Sequence, residues 1–324
     1  MKTLVVASSL VALAGFAASA AAQQYPTRNI TMLVPYAAGG PTDTVARVVA
    51  QAMTKPLGQT VVVENRPSAG GILAPEQVKN SKPDGHTILI HHIGMATTPA
   101  LYRQLRFNPL NDFDYIGLIN DVPMTVIARG NFPAKDFKEF LDYIKNNKDK
   151  VSYANAGIGA ASHLCGMLFM SAIQTDVLTV PYKGTAPAMN DLLGGQVDFM
   201  CDQTTNTTSQ IKSGKVKVFG VTSLKPVPSL PDVPTLDSQG LKGFEVGIWH
   251  ALYGPKGLPK PVSDKLVDAL QQTVKDEGVQ KRFADLGAST YPPDKATPAA
   301  LQQHLKAEID KWSPLIKKAG VYAD

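Results

Sequence analysis

Short runs of β-branched and apolar residues alternate along the chain with stretches in which apolar residues recur at helical spacing. This alternation predicts an α/β fold in which helices cover a mostly parallel sheet. The pattern occurs in two successive sets. In the first set, strands are predicted at 30–34, 61–64 and 87–91, with helices from Thr42, from about Pro75 and near 98–103. In the second set, strands are predicted at 124–128, 151–154, 177–181, 197–201 and 216–222, with helices at 134–146, 162–173, 185–193 and 205–213.

The end of the chain differs, because helical segments follow one another there without intervening strands. A proline-rich stretch at 226–234 predicts irregular backbone, and a strand-like run follows at 244–253. Helices that have no strands of their own are expected to pack back on the first set. These three helices are predicted at 261–276, 278–286 and 297–318.

The chain therefore passes twice between the two sets, near 119–125 and near 247–254. We expect two lobes, with residues 23–122 and 250–324 in lobe 1 and residues 123–249 in lobe 2. Two crossings form a hinge, and ligands of such sheets lie outside the carboxyl ends of the strands. The sequence thus predicts a ligand cleft between the lobes.

The first candidate binding segment joins the first strand to the first helix through Gly39 and Gly40. Thr42 is a suitable N-cap for that helix. A glycine-bearing loop of this kind points backbone N–H groups and the positive end of the helix dipole at one spot, which suits an anion. The loop lacks the glycine spacing and the lysine of nucleotide-binding loops, so a small carboxylate is expected rather than a phosphate.

Lobe 2 carries a matching arrangement after its own strands. Small residues at 155–161 lead into a helix that Ser162 is expected to cap, and Thr185 is expected to cap the next helix. A further segment at 201–208 places Asp202 among short polar side chains. Helix starts facing each other across a cleft favour a ligand that is anionic at one or both ends.

Several short motifs are spread in order over essentially the whole mature chain. They are Tyr25-Pro26, Val34-Pro35-Tyr36-Ala37-Ala38-Gly39-Gly40-Pro41-Thr42-Asp43, Val63-Glu64-Asn65-Arg66-Pro67 with Gly70-Gly71, Lys82-Pro83-Asp84-Gly85, the segment 157–164, Val180-Pro181-Tyr182-Lys183-Gly184, and Gly194-Gly195-Gln196-Val197-Asp198. Together they resemble the Bug/TctC family, the extracytoplasmic solute-binding receptors of tripartite tricarboxylate transporters. The resemblance implies a type II Venus-flytrap fold. It also implies capture of a small carboxylate without chemistry or cofactor, and delivery to the membrane permease subunits of such a transporter.

The resemblance also implies which residues bind the ligand. The glycine loop holds one carboxylate, partly through ordered water, and the loop that opens the second-lobe helix supports the other end. Thr98 stands where many members have asparagine, and apolar or aromatic side chains nearby favour an aromatic or longer-chain dicarboxylate. The expected ligand-binding residues are Tyr36, Ala37, Ala38, Gly39, Gly40, Asp43, Met95, Thr97, Gly159, Ala160, Ala161, Ser162, His163, Tyr182, Thr185 and Asp202.

The N-terminus predicts export to the periplasm. Residues 1–22 have a basic start, an apolar centre and an Ala-rich end, which is typical of a cleavable signal peptide. The formal net charge of the whole chain is +5, but the basic residues are scattered without a basic tract interleaved with aromatics. This disfavours nucleic-acid binding. We expect a monomer with no nucleic-acid partner.

Several residues allow a second interpretation. Cys165 and Cys201, the only two cysteines, are expected either to form a disulfide or to remain as buried thiols. His91 and His92 would point to opposite faces of a strand, which disfavours a shared metal site, so no metal is expected. Asp43 is four residues before an arginine and is suited to an ion pair as well as to ligand contact.

Two alternative functions follow from the same residues. Ser162 and His163 are adjacent on a helix and point in different directions, so a catalytic serine–histidine pair, and with it an enzyme, is not expected. A ligand sensor that reports to a signalling receptor would show the same sequence features as a transport receptor. The choice between transport and sensing is open at this level.

Overall fold

The structure is a computed structural model that describes residues 25–320, 322 and 323. The predicted signal peptide lies outside the described residues. None of the described helices is both long enough and apolar enough to cross a membrane.

Strands and helices alternate from the start of the described chain, as the hydrophobic pattern predicts. The inner strands at 30–34, 87–92 and 199–203 are almost completely buried, whereas the edge strands at 61–65 and 178–181 are partly exposed. The helix at 41–57 presents a buried apolar stripe to the sheet. The first elements are β1 (Ile30–Val34), α1 (Pro41–Leu57), β2 (Val61–Asn65), a 3-10 turn (Ala69–Gly71), α2 (Leu73–Lys79), β3 (Thr87–His92) and α3 (Gly94–Leu101).

The second set begins with one long strand and then resumes the alternation. Its elements are β4 (Phe113–Arg129), α4 (Phe137–Asn146), β5 (Ser152–Asn155), α5 (Ala161–Ile173), β6 (Leu178–Pro181), α6 (Thr185–Leu193), β7 (Phe199–Gln203), α7 (Thr204–Lys212) and β8 (Val216–Val221). The chain then returns through β9 (Gly247–Pro255), α8 (Lys260–Lys275), α9 (Glu277–Asp285), β10 (Ser289–Thr290) and α10 (Pro298–Ala319).

The strands form two sheets that meet along β4. In lobe 1 the order is β2-β1-β3-β9-β4, and in lobe 2 β4 continues to β7, β5 and β6 while β8 also pairs with β4. Strand β4 pairs with β9 as far as Pro123 and with β7 from Met124 onward. A single strand therefore carries the chain from one lobe to the other.

The prediction of a mostly parallel sheet is correct only for the outer strands. Strands β2, β1 and β3 are mutually parallel, as are β7, β5 and β6. The ladders that β9 makes with β3 and β4, and those that β4 makes with β7, β8 and β10, are antiparallel. The reason is that β4 and β9 traverse the hinge region in opposite directions.

The three C-terminal helices pack on lobe 1, as expected from their lack of strands. Helix α10 contacts α3 and β4, and α8 contacts α1 and β4. Trp312 and Ile316 of α10 are buried in the main hydrophobic cluster. Lobe 1 is therefore completed only by the end of the chain.

Some predicted element boundaries are wrong. Strand β4 begins at Phe113 rather than near residue 124, because its polar pair Asn120-Asp121 and Pro123 interrupt the apolar pattern without ending the strand. Strand β7 begins at Phe199, two residues later than predicted, and β9 begins at Gly247 rather than 244.

In lobe 2 the two cysteines are bonded. A disulfide joins Cys165 of α5 to Cys201 of β7, with Cα atoms 6.1 Å apart. It fixes the helix to the strand whose carboxyl end reaches the cleft.

Candidate functional site

A cavity lies where elements of both lobes meet, and four helices begin at its edge. Helix α1 comes from lobe 1, and α5, α6 and α7 come from lobe 2. None of the four has a side-chain hydrogen bond capping its first turn. The residues lining the cavity are Tyr36, Pro41, Thr42, His92, Ala156, Ala160, Ala161, Ser162, Thr185, Asp202 and Gln203.

The predicted N-cap residues lie one or two positions inside their helices. Helix α1 has Gly40 at the N-cap, since the fixed φ and absent N–H of Pro41 suit the first helical position. The N-caps of α5 and α6 are Ala160 and Gly184. The caps expected at Thr42, Ser162 and Thr185 are therefore wrong, and these three side chains line the cavity instead.

On the lobe 1 side, Asp43 organises the glycine loop. Its Oδ2 accepts the backbone N–H of Gly39 at 2.9 Å, and its two oxygens accept hydrogen bonds from Arg47 at 2.9 and 3.0 Å. Asp43 is 3% exposed and does not line the cavity. Its contacts fit the ion-pair interpretation, and its charge is balanced before any ligand arrives.

Aromatic rings form the floor of the lobe 1 side. Tyr36 stacks on His92 with ring centroids 4.9 Å apart, and its hydroxyl donates to the carbonyl of Gly70 at 3.3 Å. His92 Nδ1 accepts the backbone N–H of Gly94 at 2.9 Å, which leaves the ring proton on Nε2. Burial lowers the pKa of His92 well below its usual value. The ring is therefore neutral near pH 7.

Two further histidines support this floor from behind. His91 Nδ1 accepts the backbone N–H of His92 at 2.8 Å, so its Nε2–H faces the carbonyl of Gly71 at 3.3 Å. His250 lies 3.0 Å from Asn120 Oδ1 through Nδ1 and 3.4 Å from Thr42 Oγ1 through Nε2. Burial lowers the pKa of His91 to about 4 and that of His250 to about 3. In the part of the chain that the structure describes, no cluster of three or more metal-ligating side chains is found.

On the lobe 2 side, hydrogen bonds fix the loop that precedes α5. Ser162 Oγ accepts the backbone N–H of Ala156 at 2.9 Å, and its carbonyl oxygen accepts the hydroxyl of Tyr153. Asn155 Oδ1 accepts the N–H of Gly157 at 2.8 Å. The serine hydroxyl thus holds the loop and is not paired with His163, whose Nδ1 lies 3.5 Å from the amide nitrogen of Gly159. Burial lowers the pKa of His163 to about 4.

The end of β7 adds polar acceptors to the same wall. Asp202 Oδ1 accepts the backbone N–H of Gln203 at 2.9 Å, and Oδ2 accepts the amide of Asn206 at 2.5 Å. Burial raises the pKa of Asp202 to about 7, although these two hydrogen bonds act in the opposite direction. The Gln203 side-chain oxygen has no hydrogen-bond partner among the described residues. The Thr185 hydroxyl also has none at hydrogen-bond distance, but it lies close enough to lower the pKa of Asp202.

The lobes touch directly across the cleft. The N–H of Ala37 donates to the carbonyl of Lys183 at 3.2 Å, and Thr97 Oγ1 donates to the carbonyl of Gly159 at 3.1 Å. Tyr102 donates to the carbonyl of Ile158 at 2.9 Å. The space left for the centre of a water-sized sphere is only about 10 Å³, close to what one water needs. The cleft is closed in this structure.

Only some of the sequence-predicted site residues line the cavity. Tyr36, Ala160, Ala161, Ser162, Thr185 and Asp202 line the cavity. Ala37, Thr97 and Gly159 take part in the contacts between lobes, and Met95 is fully buried in the main core. Tyr182 donates to Asp191 at 2.6 Å and packs in a second cluster. Ala38, Gly39, Gly40, Asp43 and His163 do not line the cavity.

Five lining residues were not among the predicted site residues: Pro41, Thr42, His92, Ala156 and Gln203. His92 and Gln203 end strands at the carboxyl edge, where ligands of α/β sheets bind. Their position at the ends of strands is the sequence feature that could have identified both residues. Thr42 had been assigned only to a cap.

Two lobes joined by two crossings around a closed cleft define the fold class of two-lobed solute-binding proteins, and solved structures agree. The BugD periplasmic binding protein is 57% identical, with a TM-score of 0.90 over 92% of this chain and 99% of that one. MatC from Rhodopseudomonas palustris with bound malate is 39% identical, with a TM-score of 0.86 over 90% and 100%. A second R. palustris protein, with adipate, is 28% identical, with a TM-score of 0.87 over 92% and 99%.

Residues 45–321 match the family described as tripartite tricarboxylate transporter family receptor, TctC, and the chain belongs to that family. The two-lobed fold expected from the sequence is thereby confirmed. The family and its structural neighbours are solute-binding receptors and not enzymes, which confirms the expectation of a binding protein.

Proposed function

We propose that the protein captures a small aliphatic dicarboxylate between its lobes and presents it to the permease subunits of a tripartite tricarboxylate transporter in the periplasm. The observation that carries the proposal is the convergence of four helix N-termini, without side-chain caps, on one cavity. The N–H groups in the first turn of a helix have no partner within that helix, and together with the positive dipole ends they favour negative charge at that point. The neighbours with malate and adipate support the same ligand class.

The positions of the aromatic residues favour an aliphatic ligand over an aromatic one. Met95 and Phe199 are buried in the core, and Tyr182 is bonded to Asp191, so none of the three lines the cavity. The only carbocyclic aromatic ring in the lining is Tyr36, which is already stacked on His92. A flexible chain of four to six carbons fits this lining better than a rigid ring.

Ligand entry requires the lobes to separate, since the closed cavity has room for about one water. We assign residues 23–122 and 250–324 to lobe 1 and residues 123–249 to lobe 2. The change of strand partner between Pro123 and Met124 supports one hinge crossing, and the start of β9 at Gly247 supports the other. Rotation about these two points would open the cleft without breaking either sheet.

The test is a thermal-shift screen of the mature protein followed by calorimetry of the compounds that raise its melting temperature. The screen compares malate, succinate and adipate with citrate, aromatic dicarboxylates, acidic amino acids and the uncharged diamide of succinate. At a ligand concentration of 100 Kd, binding to the native state alone adds about 2.7 kcal/mol of stability. We expect the aliphatic dicarboxylates to stabilise the protein and the diamide to leave it unchanged. The proposal would be refuted if the diamide stabilised the protein as much as the dicarboxylates do. It would also be refuted if none of the carboxylates stabilised the protein.

A further inference from the structure

Asp202 is a buried acid in a cleft that we propose to bind acids. Its side chain is 1% exposed and lines the cavity together with Ser162 and Thr185. Each oxygen accepts one hydrogen bond, from Gln203 and from Asn206. An ionised carboxylate has about four acceptor sites, so about half of that capacity is not used by these two bonds.

Among the described residues no charged side chain compensates this carboxylate, and the positive end of α7 is the nearest favourable charge. Within the described residues, Asp202 has no ion-pair partner, whereas the other buried acid near the cleft, Asp43, is held by Arg47 at 2.9 Å. A dicarboxylate in the cavity would bring two more negative charges next to Asp202. Like charges within about 4–6 Å disfavour the ionised form.

The groups that face Asp202 from neighbouring elements do not change this balance. Across the cavity lies His92 of β3, and His163 follows the lining residues of α5. Burial lowers the pKa of both histidines, so both are neutral near pH 7. Tyr153 of β5, close enough to interact electrostatically with Asp202, is kept neutral because burial raises its pKa.

We propose that Asp202 takes up one proton from solvent when the dicarboxylate enters the cleft, so that capture of ligand is coupled to capture of a proton. This inference rests on the proposed function. The proton stays on Asp202 while the ligand is bound, and the new O–H donates a hydrogen bond to a ligand carboxylate. Hydrogen bonds between an acid and a carboxylate are charge-assisted and short. The proton returns to solvent when the ligand leaves.

The sign of the pH dependence follows from the free protein. In the closed cleft without ligand, burial raises the pKa of Asp202 to about 7. Below pH 7 the acid is already protonated, so binding needs no proton and affinity is at its maximum. Above pH 7 a proton must be taken up, and affinity falls by up to about tenfold per pH unit.

Calorimetry of the free and bound protein tests the inference directly. Malate, or adipate if it binds more tightly, is titrated at pH 8 in buffers with different enthalpies of ionisation. The slope of the observed enthalpy against the buffer enthalpy gives the number of protons taken up. We expect nearly one proton for each ligand in the wild type.

Two substitutions and a control identify the group that takes up the proton. Asp202→Asn should remove the uptake, and Asn206→Ala should move the fall in affinity to higher pH, because the ionised acid loses a donor. The control is Asp198→Asn. Asp198 lies immediately before β7 and forms an ion pair with Arg129 at 2.9 Å, so its substitution should leave proton uptake unchanged. If Asp202→Asn fails to fold, the shift of the pH dependence in Asn206→Ala relative to the wild type still tests whether Asp202 takes up the proton.

The outcomes are distinct. Three outcomes would overturn the inference and leave the proposed function standing. The dicarboxylate could bind with no proton exchange, it could bind with proton release, or proton uptake could persist in Asp202→Asn. Proton release would show that a protein group loses a proton on binding, and uptake that persists in Asp202→Asn would point to a histidine. Failure of every carboxylate to bind would overturn the proposed function and this inference together.

Discussion

The contact between the lobes at Gly157 provides a test of closure that does not touch the ligand. Gly157 has φ +98°, and a Cβ built there would lie 2.7 Å from the amide nitrogen of Gly70 and 3.0 Å from the Cα of Ala69. Both neighbours are backbone atoms of the opposite lobe and cannot rotate away. Gly157→Ala should therefore oppose the closed state specifically.

The expected magnitude has two separate parts. A side chain at this positive φ strains the backbone in the open and the closed protein alike, by about 1–3 kcal/mol, and lowers the free energy of unfolding. The clash arises only on closure, and overpacking of this kind costs about 1–3 kcal/mol. Because about 1.4 kcal/mol is tenfold in Kd, the dissociation constant should rise by roughly 5- to 150-fold.

Gly195→Ala is the matched control. Gly195 has φ +73°, and a Cβ there would meet nothing within 4 Å. It should lower the melting temperature without changing the Kd of a dicarboxylate measured by calorimetry. Small-angle scattering with saturating ligand should show Gly157→Ala more open than the control. A Kd for Gly157→Ala within twofold of the wild type would refute the reasoning.

Three further predictions concern stability. Ser162→Ala leaves the backbone N–H of Ala156 without its acceptor and should lower the free energy of unfolding by about 1–3 kcal/mol in denaturant titrations, whereas an unchanged value would show that water replaces the hydroxyl. Mutating Cys165 and Cys201 to alanine removes the disulfide and should destabilise lobe 2 by about 4 kcal/mol, because the disulfide closes a loop with sequence separation 36. Calorimetric melting that does not change on this substitution would contradict the prediction. Burial lowers the pKa of His250 to about 3, so the unfolded chain binds a proton below pH about 6.5 that the folded protein binds only near pH 3. Stability should therefore fall as the pH decreases from 6.5 to 3, and His250→Gln should flatten that profile in thermal melts, with an unchanged slope counting against the histidine.

The sequence by itself determined the local elements and the two binding loops. β-branched runs stiffen short strands, and glycine and proline place the turn before α1, so β1, α1, β5 and α5 follow from residue type and spacing. The expectation that the C-terminal helices return to lobe 1 also follows from local pattern, because an amphipathic helix without strands must bury its apolar face elsewhere.

Only the tertiary structure decided which residues share the cleft. Strand β4 continues through Asn120, Asp121 and Pro123 because β9 and then β7 supply hydrogen-bond partners that are distant in sequence. His92 and Gln203 reach the cavity because their strands end at the same edge, and Met95 does not because α3 turns it into the core. Pairing and burial between remote segments are long-range effects that no local pattern encodes, and they bring the four helix N-termini to a single point.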